Sequence, residues 1–466
     1  MGRKNNPATQ PASTTTLTFY GGAGTVTGAN FLLETETKRV LVDCGLIQSG
    51  DFFDERNWGD FGYDPASVNV LIVTHGHTDH IGRIPRLVAQ GFSGKIISTP
   101  PTKDITALML DDALKVMTDE LRKRGNPRPP LYGEADIVRA LELWETVEYH
   151  DMFEIGDNIT AQFLDAGHIL GSAMVELTRY GRKIIFTGDL GNDEAPIAKK
   201  TEIVSDANYI VMESVYGDRN HEGIDTRREV LKDALEYTRA HRGVLLLPAF
   251  SLERTQILLY EISTLIQTKA IAPIPVFLDA PLAIKLMSVY RRYPNYLNEE
   301  AQHKMRDGDP FAFEGLTITA SAAESRSIYD ETNPKVIIAG SGMSSGGRIR
   351  SHERAFLSDR NTTILFPGYQ SVGSLGRRLA EGANKVKIDG EWVRVRARIA
   401  QLHGYSAHKD RDGLIAFIEQ TASSLDQVFV VMGEPRSALF LTQRLRDFLD
   451  VPAIAPDAKE SFTLDW

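Results

Sequence analysis

One short run, Thr74-His75-Gly76-His77-Thr78-Asp79-His80, constrains this chain more than any other, because it packs three imidazoles and a carboxylate directly behind the apolar stretch Val70–Val73. A strand ending there aims His75 and His77 the same way, since side chains two apart share a face. The turn that follows sends Asp79 and His80 toward a neighbouring position. Two adjacent metal ions with nitrogen and oxygen ligands suit that layout, which points to zinc before calcium or magnesium. A polar turn opening a helix would also tolerate Asp and Thr. Chance, however, rarely sets H-x-H-x-D-H on the end of a Val/Leu/Ile strand.

The size and composition are permissive. At 466 residues there is room for two or three domains, and 42% apolar with 24% charged residues is ordinary for a soluble globular chain. Cys44 is the one cysteine, so no intrachain disulfide can form and a reducing, cytoplasmic setting is expected. No stretch approaches the roughly 18 continuous apolar residues of a membrane span. The polar segment 1–16 reads as a disordered lead-in without a signal-peptide core. A net charge of −10 and a pI near 5.6 argue against coating nucleic acid through bulk charge. A metal pair and a few arginines could still make one cleft positive.

Along the chain, short strands dominate first: Leu17–Tyr20, Asn30–Glu34, Arg39–Asp43, Val70–Thr74, Lys95–Ser98, Ile159–Asp165, Ala173–Thr178, Lys183–Thr187 and Tyr209–Met212. Helical patterns cover Ile84–Gln90, Thr102–Leu121 and Glu134–Trp144, and Arg122–Pro130 reads as an exposed basic loop. This predicts an α/β chain whose first part, 17–216, is a two-sheet sandwich flanked by helices. From 217 to 384 the pattern becomes strand-then-helix, with strands Val244–Pro248, Pro275–Leu278, Val336–Ala339 and Thr363–Phe366. The helices paired with them are Leu252–Ile266, Leu282–Tyr290, Ile349–Leu357 and Leu375–Ala380. A mostly parallel sheet with ligands at the carboxyl ends of its strands follows. In 385–466 strands return (Trp392–Leu402, Gln427–Met432), and helices Asp410–Ser423 and Ser437–Leu449 finish the chain. The second domain would thus interrupt the first.

Other candidate ligands sit at strand ends. His168, in Asp165-Ala166-Gly167-His168, is either a loop residue or the third nitrogen that one metal lacks. Asp189, in Thr187-Gly188-Asp189, could bridge two cations. Asp43 either orients a ligand or caps a turn.

In that order, Asp43, His75, His77, Asp79, His80, His168 and Asp189 resemble the metallo-β-lactamase superfamily. Later segments narrow the resemblance to the β-CASP nucleases, the family of RNase J and the mRNA 3′-end cleavage endonuclease. Met212-Glu213-Ser214-Val215-Tyr216-Gly217 is similar to motif A, and Gly404-Tyr405-Ser406-Ala407-His408 to motif B. Gly340–Gly347 and Phe366-Pro367-Gly368-Tyr369-Gln370 look typical of bacterial and archaeal members. The resemblance, which spans nearly the whole chain past residue 16, implies an αββα metallo-β-lactamase sandwich with an inserted β-CASP domain. It also implies two zinc sites and RNA phosphodiester cleavage.

One segment departs from the pattern. Motif C carries a zinc-ligating His where this chain has Val430-Val431-Met432-Gly433-Glu434. A thioether is a poor zinc ligand, so the second site would be weak or empty, unless His403 substitutes. Met432 itself is read as a buried strand residue.

The expected chemistry is then as follows. His75, His77 and His168 hold one zinc, Asp79 and His80 the other, with Asp189 between. His408 protonates the leaving ribose oxygen, Glu213 holds its imidazole, and Asp79 counts with both ligands and catalytic groups. In the inserted domain, Ser341, Gly342, Met343, Ser344, Ser345, Gly346, Gly347 and Arg348 are expected to meet backbone phosphate. Arg377 and Arg378 are either phosphate contacts or solvated charges, and His352 either follows the bacterial pattern or only caps or faces solvent. Arg394, Arg396 and Arg398 alternate on one expected strand face, which is an RNA track or, more often, a solvated one. His150, His221, His241 and His303 carry no motif. RNA is the expected partner, no membrane is involved, and a homodimer stays open.

Three readings compete: a zinc ribonuclease cutting single-stranded RNA internally, a catalytically weakened relative that binds RNA or a protein partner, and a hydrolase of DNA ends or small phosphodiesters. Met432 favours the second, the intact cluster the first. DNA-directed members typically show Val at motif C, so Met leaves the third open.

Overall fold

The apolar stretch before the histidines forms the strand Val70–Ile72, with all three residues buried. It lies fifth in a seven-stranded sheet ordered Ser461–Asp465, Thr14–Gly21, Asn30–Glu34, Arg39–Val42, Val70–Ile72, Lys95–Ser98 and Trp144–Thr146. This computed structural model describes residues 14–48, 54–221, 226–371, 373–402 and 404–466. A second seven-stranded sheet runs Ala453–Ile454, Gln427–Val431, Tyr209–Glu213, Arg182–Phe186, Ala173–Arg179, Ile159–Asp165 and Phe153–Gly156. Ile159–Asp165 alternates buried and half-buried residues along its length, the period of a strand with one face inward.

The sheets pack face to face through Leu17, Phe19, Phe31, Phe186 and Phe429. Phe19 lies 5.8 Å from Phe31 and 5.3 Å from Phe429 between ring centres. Helices Ile84–Ala89, Pro100–Lys123 and Glu134–Glu142 cover the outer face of the first sheet, and Arg411–Glu419 and Pro435–Leu449 that of the second. This is the expected αββα sandwich. Both sheets are completed by the returning chain: Gln427–Val431 pairs parallel with Tyr209–Glu213, and Ser461–Asp465 antiparallel with Thr14–Gly21.

Between these passes lies a six-stranded, all-parallel sheet ordered Leu316–Ile318, Val276–Asp279, Lys335–Ala339, Val244–Pro248, Thr362–Phe366 and Arg398–Gln401. Its central strands are buried throughout, as a sheet covered on both faces requires. The carboxyl ends of three adjacent strands give rise to the loops at Phe250, Ser341 and Gly368, all of which line one cavity with the histidine cluster.

Several expected elements differ. Of the expected lead-in, residues 1–13 lie outside the described residues, whereas Thr14–Thr16 belong to a strand paired with Thr463–Asp465. The helix expected over Glu134–Trp144 stops at Glu142, because Trp144 begins an edge strand and its Nε1 donates to Ser98 Oγ at 2.8 Å. Trp392–Leu402 is two strands. Asp389 and Gly390, both at positive φ, close a tight hairpin between Lys385–Ile388 and Glu391–Arg394, while Arg398–Gln401 joins the parallel sheet. Arg394, Arg396 and Arg398 therefore do not share a strand face. The helix Arg227–Ala240 buries only Leu231, Ala234, Leu235 and Thr238, too thin a stripe to stand out from its charged residues.

Candidate metal centre

Asp43, just past Arg39–Val42, adopts a left-handed backbone with φ of 60° and is fully buried. Its carboxylate accepts the Thr74 N–H at 2.9 Å and hydroxyl at 2.8 Å, and Oδ2 lies 2.7 Å from His80 Nδ1. That contact takes Nδ1 of His80 and leaves Nε2 to face the cluster, the second-sphere arrangement that orients a metal-binding imidazole. The short helix Thr78–Ile81 is pinned to the same loop, with Ala29 donating to the Asp79 carbonyl and Cys44 to that of His80.

His75 Nε2 lies 3.0 Å from His77 Nδ1, which lies 3.2 Å from His168 Nε2. Asp189 completes the set and divides its carboxylate. Oδ2 is 3.4 Å from His75 Nε2 and 3.5 Å from His168 Nε2, while Oδ1 is 3.3 Å from His80 Nε2. The ligand atoms of His75, His77, His168 and Asp189 all lie within 4.8 Å of one another. His80 Nε2 and Asp189 Oδ1 are buried with no hydrogen-bond partner among the described residues. Buried orphan atoms facing each other at the rim of a His-rich cluster are what a cation would satisfy, and the nitrogen-rich donor set suits zinc. Gly188 permits this approach, since a Cβ there would sit 2.8 Å from Thr74 Cβ.

The electrostatics agree. Burial first, then the neighbouring imidazoles, hold His77 and His168 well below the usual histidine range, so both keep free lone pairs. Burial would raise Asp189, but the imidazoles of His80 and His75 hold its carboxyl well below the ordinary carboxylate range. Asp79 sits at the cavity wall beside this set, its carboxyl pushed up mainly by burial.

His408 comes in from the far end of the sequence. Ala407 accepts the N–H of Asn192, and Lys409 N–H donates to Leu190, stitching the segment to the loop after Asp189. Glu213, 1% exposed, accepts the Leu190 N–H on Oε1 at 2.7 Å and lies 3.1 Å from His408 Nδ1. Burial would lower His408, but the Glu213 carboxylate outweighs it and brings the imidazole up to about 9. The rings of His408 and His168 are 4.6 Å apart.

The Gly-rich segment behaves differently from residue to residue. Ser341 and Met343 line the cavity. The Ser341 hydroxyl accepts the N–H groups of Ser345 at 3.0 Å and Gly346 at 3.2 Å, so those donors are already used. Ser344 is buried and its hydroxyl donates to Glu353. Arg348 turns away: its guanidinium bonds Asp279 at 2.6 Å and the carbonyls of Thr319 and Ala320. His352 is fully buried, with Nε2 2.7 Å from Asp279 Oδ2. Arg377 pairs with Glu381, and Arg378 is exposed. Met432 is 2% exposed in the apolar cluster between the sheets, and its sulfur packs against Gly22. His403 lies outside the described residues.

Two residues with no recognisable local motif line the same cavity, whose volume is about 850 Å3. His221 donates from Nε2 to the His408 carbonyl at 2.7 Å and meets the Tyr216 ring edge-on. Arg254 opens the helix Arg254–Gln267, with Nη1 buried and unpartnered among the described residues. Neither is encoded by spacing: His221 is set by its bond across to the His408 segment, and Arg254 by the loop that follows Val244–Pro248.

Three family descriptions match: the metallo-β-lactamase superfamily over 23–237, the β-CASP domain over 255–379 and the Zn-dependent metallo-hydrolase RNA specificity domain over 392–456. The ribonuclease TTHA0252 of Thermus thermophilus is 35% identical over 91% of this chain and 95% of its own length. An RNase J-like protein of Methanocaldococcus jannaschii is 28% identical over 94% and 97%. The transcription termination factor FttA of Methanosarcina mazei is 28% identical over 91% of this chain and 68% of its own. In fold, a protein of unknown function from Enterococcus faecalis V583 aligns over 97% of this chain and 100% of its own, at 14% identity with a TM-score of 0.53. Among the described residues no helix is long and apolar enough to cross a membrane.

Proposed function

We propose, since the chain belongs to the β-CASP ribonuclease family of metal-dependent hydrolases in the metallo-β-lactamase superfamily, that it is a zinc-dependent ribonuclease cutting single-stranded RNA internally. The observation that carries this reading is the divided Asp189 carboxylate, with one oxygen toward His75 and His168 and the other toward His80. His75, His77 and His168 would hold one zinc and Asp79 and His80 the other, with Asp189 shared. Bound there, such a pair supplies Lewis acidity that readies water near neutral pH and neutralises phosphoryl oxygens.

The chain's own groups do the rest. Glu213 occupies Nδ1 of His408, so Nε2 is the atom left to deliver a proton to the departing ribose oxygen. Asp43 fixes the ring of His80, and His221 braces the His408 backbone. Of the segment Ser341–Arg348, Ser341 and Met343 are the residues that reach the cavity and can meet the RNA backbone.

A second reading, an RNA- or partner-binding relative with weakened catalysis, draws on Met432, whose sulfur is turned into the apolar cluster and offers the second metal nothing. RNA labelled at either end, incubated with and without chelator while bound metal is counted, separates the two. Internal fragments lost on chelation support the nuclease; retention of RNA by a zinc-loaded preparation that makes no cut supports the binder.

A further inference from the structure

Two large rings on the inserted domain are left half in solvent where they face the cavity. Phe250 is 45% exposed and Tyr369 50% exposed, yet both line the space that holds His77, Asp79 and His408. They follow the neighbouring parallel strands Val244–Pro248 and Thr362–Phe366, so both loops leave the same end of the sheet side by side. Phe250 packs closely on its neighbour, and the two loops are tied together. Gly342 leaves no room for a side chain beneath Phe250, since a Cβ there would lie 2.7 Å from the ring. Gln370, next to Tyr369, is 4% exposed and donates to the Gly342 carbonyl at 3.0 Å, tying the two loops together. The Arg219 guanidinium lies 4.9 Å from the Tyr216 ring centre and 6.0 Å from that of Tyr369, extending the flat surface. Beside it, Arg254 keeps Nη1 buried and unpartnered among the described residues.

Half-exposed, braced rings next to an unspent guanidinium are the elements that bind unpaired nucleotides: flat faces for bases and a charge for the backbone. Paired bases present no free face to such a surface. We propose that Phe250 and Tyr369 stack the bases flanking the scissile bond and that Arg254 takes an adjacent phosphate, forming a subsite for single-stranded RNA. The proposal rests on the ribonuclease reading for the identity of its ligand.

The test uses the full zinc-loaded chain and short unpaired oligoribonucleotides with 2-aminopurine at successive positions. Binding quenches the probe at positions flanking the cut. Tyr369→Ala and Phe250→Ala each abolish the quench at one position and raise KM about tenfold. Tyr369→Trp restores both, and an abasic nucleotide at the matching position removes the difference between parent and Ala variant. Arg254→Gln is expected to weaken binding most at low salt and to flatten its salt dependence. Melting temperature and zinc content report whether the variants fold. If the parent cuts RNA while both Ala variants keep its quench and KM, the subsite is overturned and the ribonuclease reading stands. If the zinc-loaded parent cuts nothing but shows the position-specific quench, the subsite stands and the ribonuclease reading falls.

Discussion

Glu213 Oε1 lies 3.1 Å from Nδ1 of His408, although 195 residues separate the two in the chain. The carboxylate is 1% exposed, so the pair is an oriented, charge-assisted contact with one face toward the cavity. His408→Ala is expected to lower kcat for RNA by about 10²–10⁴, the usual scale for losing a positioned general acid. Glu213→Gln keeps the shape but removes the anion, and is expected to cost less. Both variants should bind zinc as the parent does. A substrate with sulfur replacing the departing ribose oxygen leaves without a proton, and it should recover most of the rate in His408→Ala. Equal losses on oxygen and sulfur substrates would remove His408 from proton delivery.

Asp189 predicts how metal is held. Its Oδ2 faces His75 and His168, which with His77 make a compact four-donor set, while Oδ1 faces His80; on the proposed assignment Asp79 joins His80, and Met432 adds no donor. Competition with a chelator is expected to strip zinc in two unequal steps. His168→Ala should remove the tight step, His80→Ala the weak one, and Asp189→Ala should impair both. A single step of equal affinity in the parent would contradict the division.

The His/Asp cluster was legible because its parts are local: H-x-H-x-D-H on a strand end, and His168 and Asp189 each at the tip of another strand. The sandwich was legible for the same reason, since Ile159–Asp165 and Val244–Pro248 declare their burial by period or by unbroken apolarity. What escaped depends on partners far away. Nothing near His221 says that it braces His408, and nothing near Arg348 says that Asp279, 69 residues earlier, uses up its guanidinium. Gly340–Gly347 reads as a phosphate loop because small residues free the backbone. In the structure Ser341 Oγ already takes two of those N–H groups. The Asp389-Gly390 dipeptide is a hairpin signal, but the alternating Arg394, Arg396 and Arg398 that follow it suggested one strand over Trp392–Leu402 where the chain makes two.

Asp279 makes a pH prediction away from the metal. It is fully buried and accepts from Arg348, His352, Thr319 and Ser325. Burial would raise its carboxyl, but these donors outweigh it and lower it from 3.8 to about 2. A folded pKa below the unfolded one stabilises the fold above about pH 4, and that contribution drains away as pH falls through about 2. Its size is about 2 kcal/mol. Asp279→Asn should therefore melt well below the parent at pH 7, with the gap narrowing steadily below pH 4 in calorimetry. A gap that stays constant to pH 2.5 would mean the carboxylate is not held this way.

Gly45 tests whether the ligand loop depends on backbone contact as well as on its histidines. A Cβ at this position would lie 1.6 Å from the Asp79 carbonyl oxygen and 2.9 Å from Ala29 N, the two atoms that hydrogen-bond each other to anchor the helix Thr78–Ile81. Backbone cannot swing aside as a flexible side chain could, so Gly45→Ala must push the helix start away from the Asp43 loop. That shift moves Asp79 and loosens the contact between His80 and Asp43 while leaving every proposed ligand in the sequence. Overpacking of this kind costs about 1–3 kcal/mol. The expected outcome is a lower melting temperature together with loss of the weaker zinc step, while the tight step built on His75, His77 and His168 survives. Gly24→Ala is the control: a Cβ there meets nothing within 4 Å, and φ of +67° adds only local strain. If Gly45→Ala binds both zinc ions as the parent does, the helix start is not what sets the geometry of Asp79 and His80.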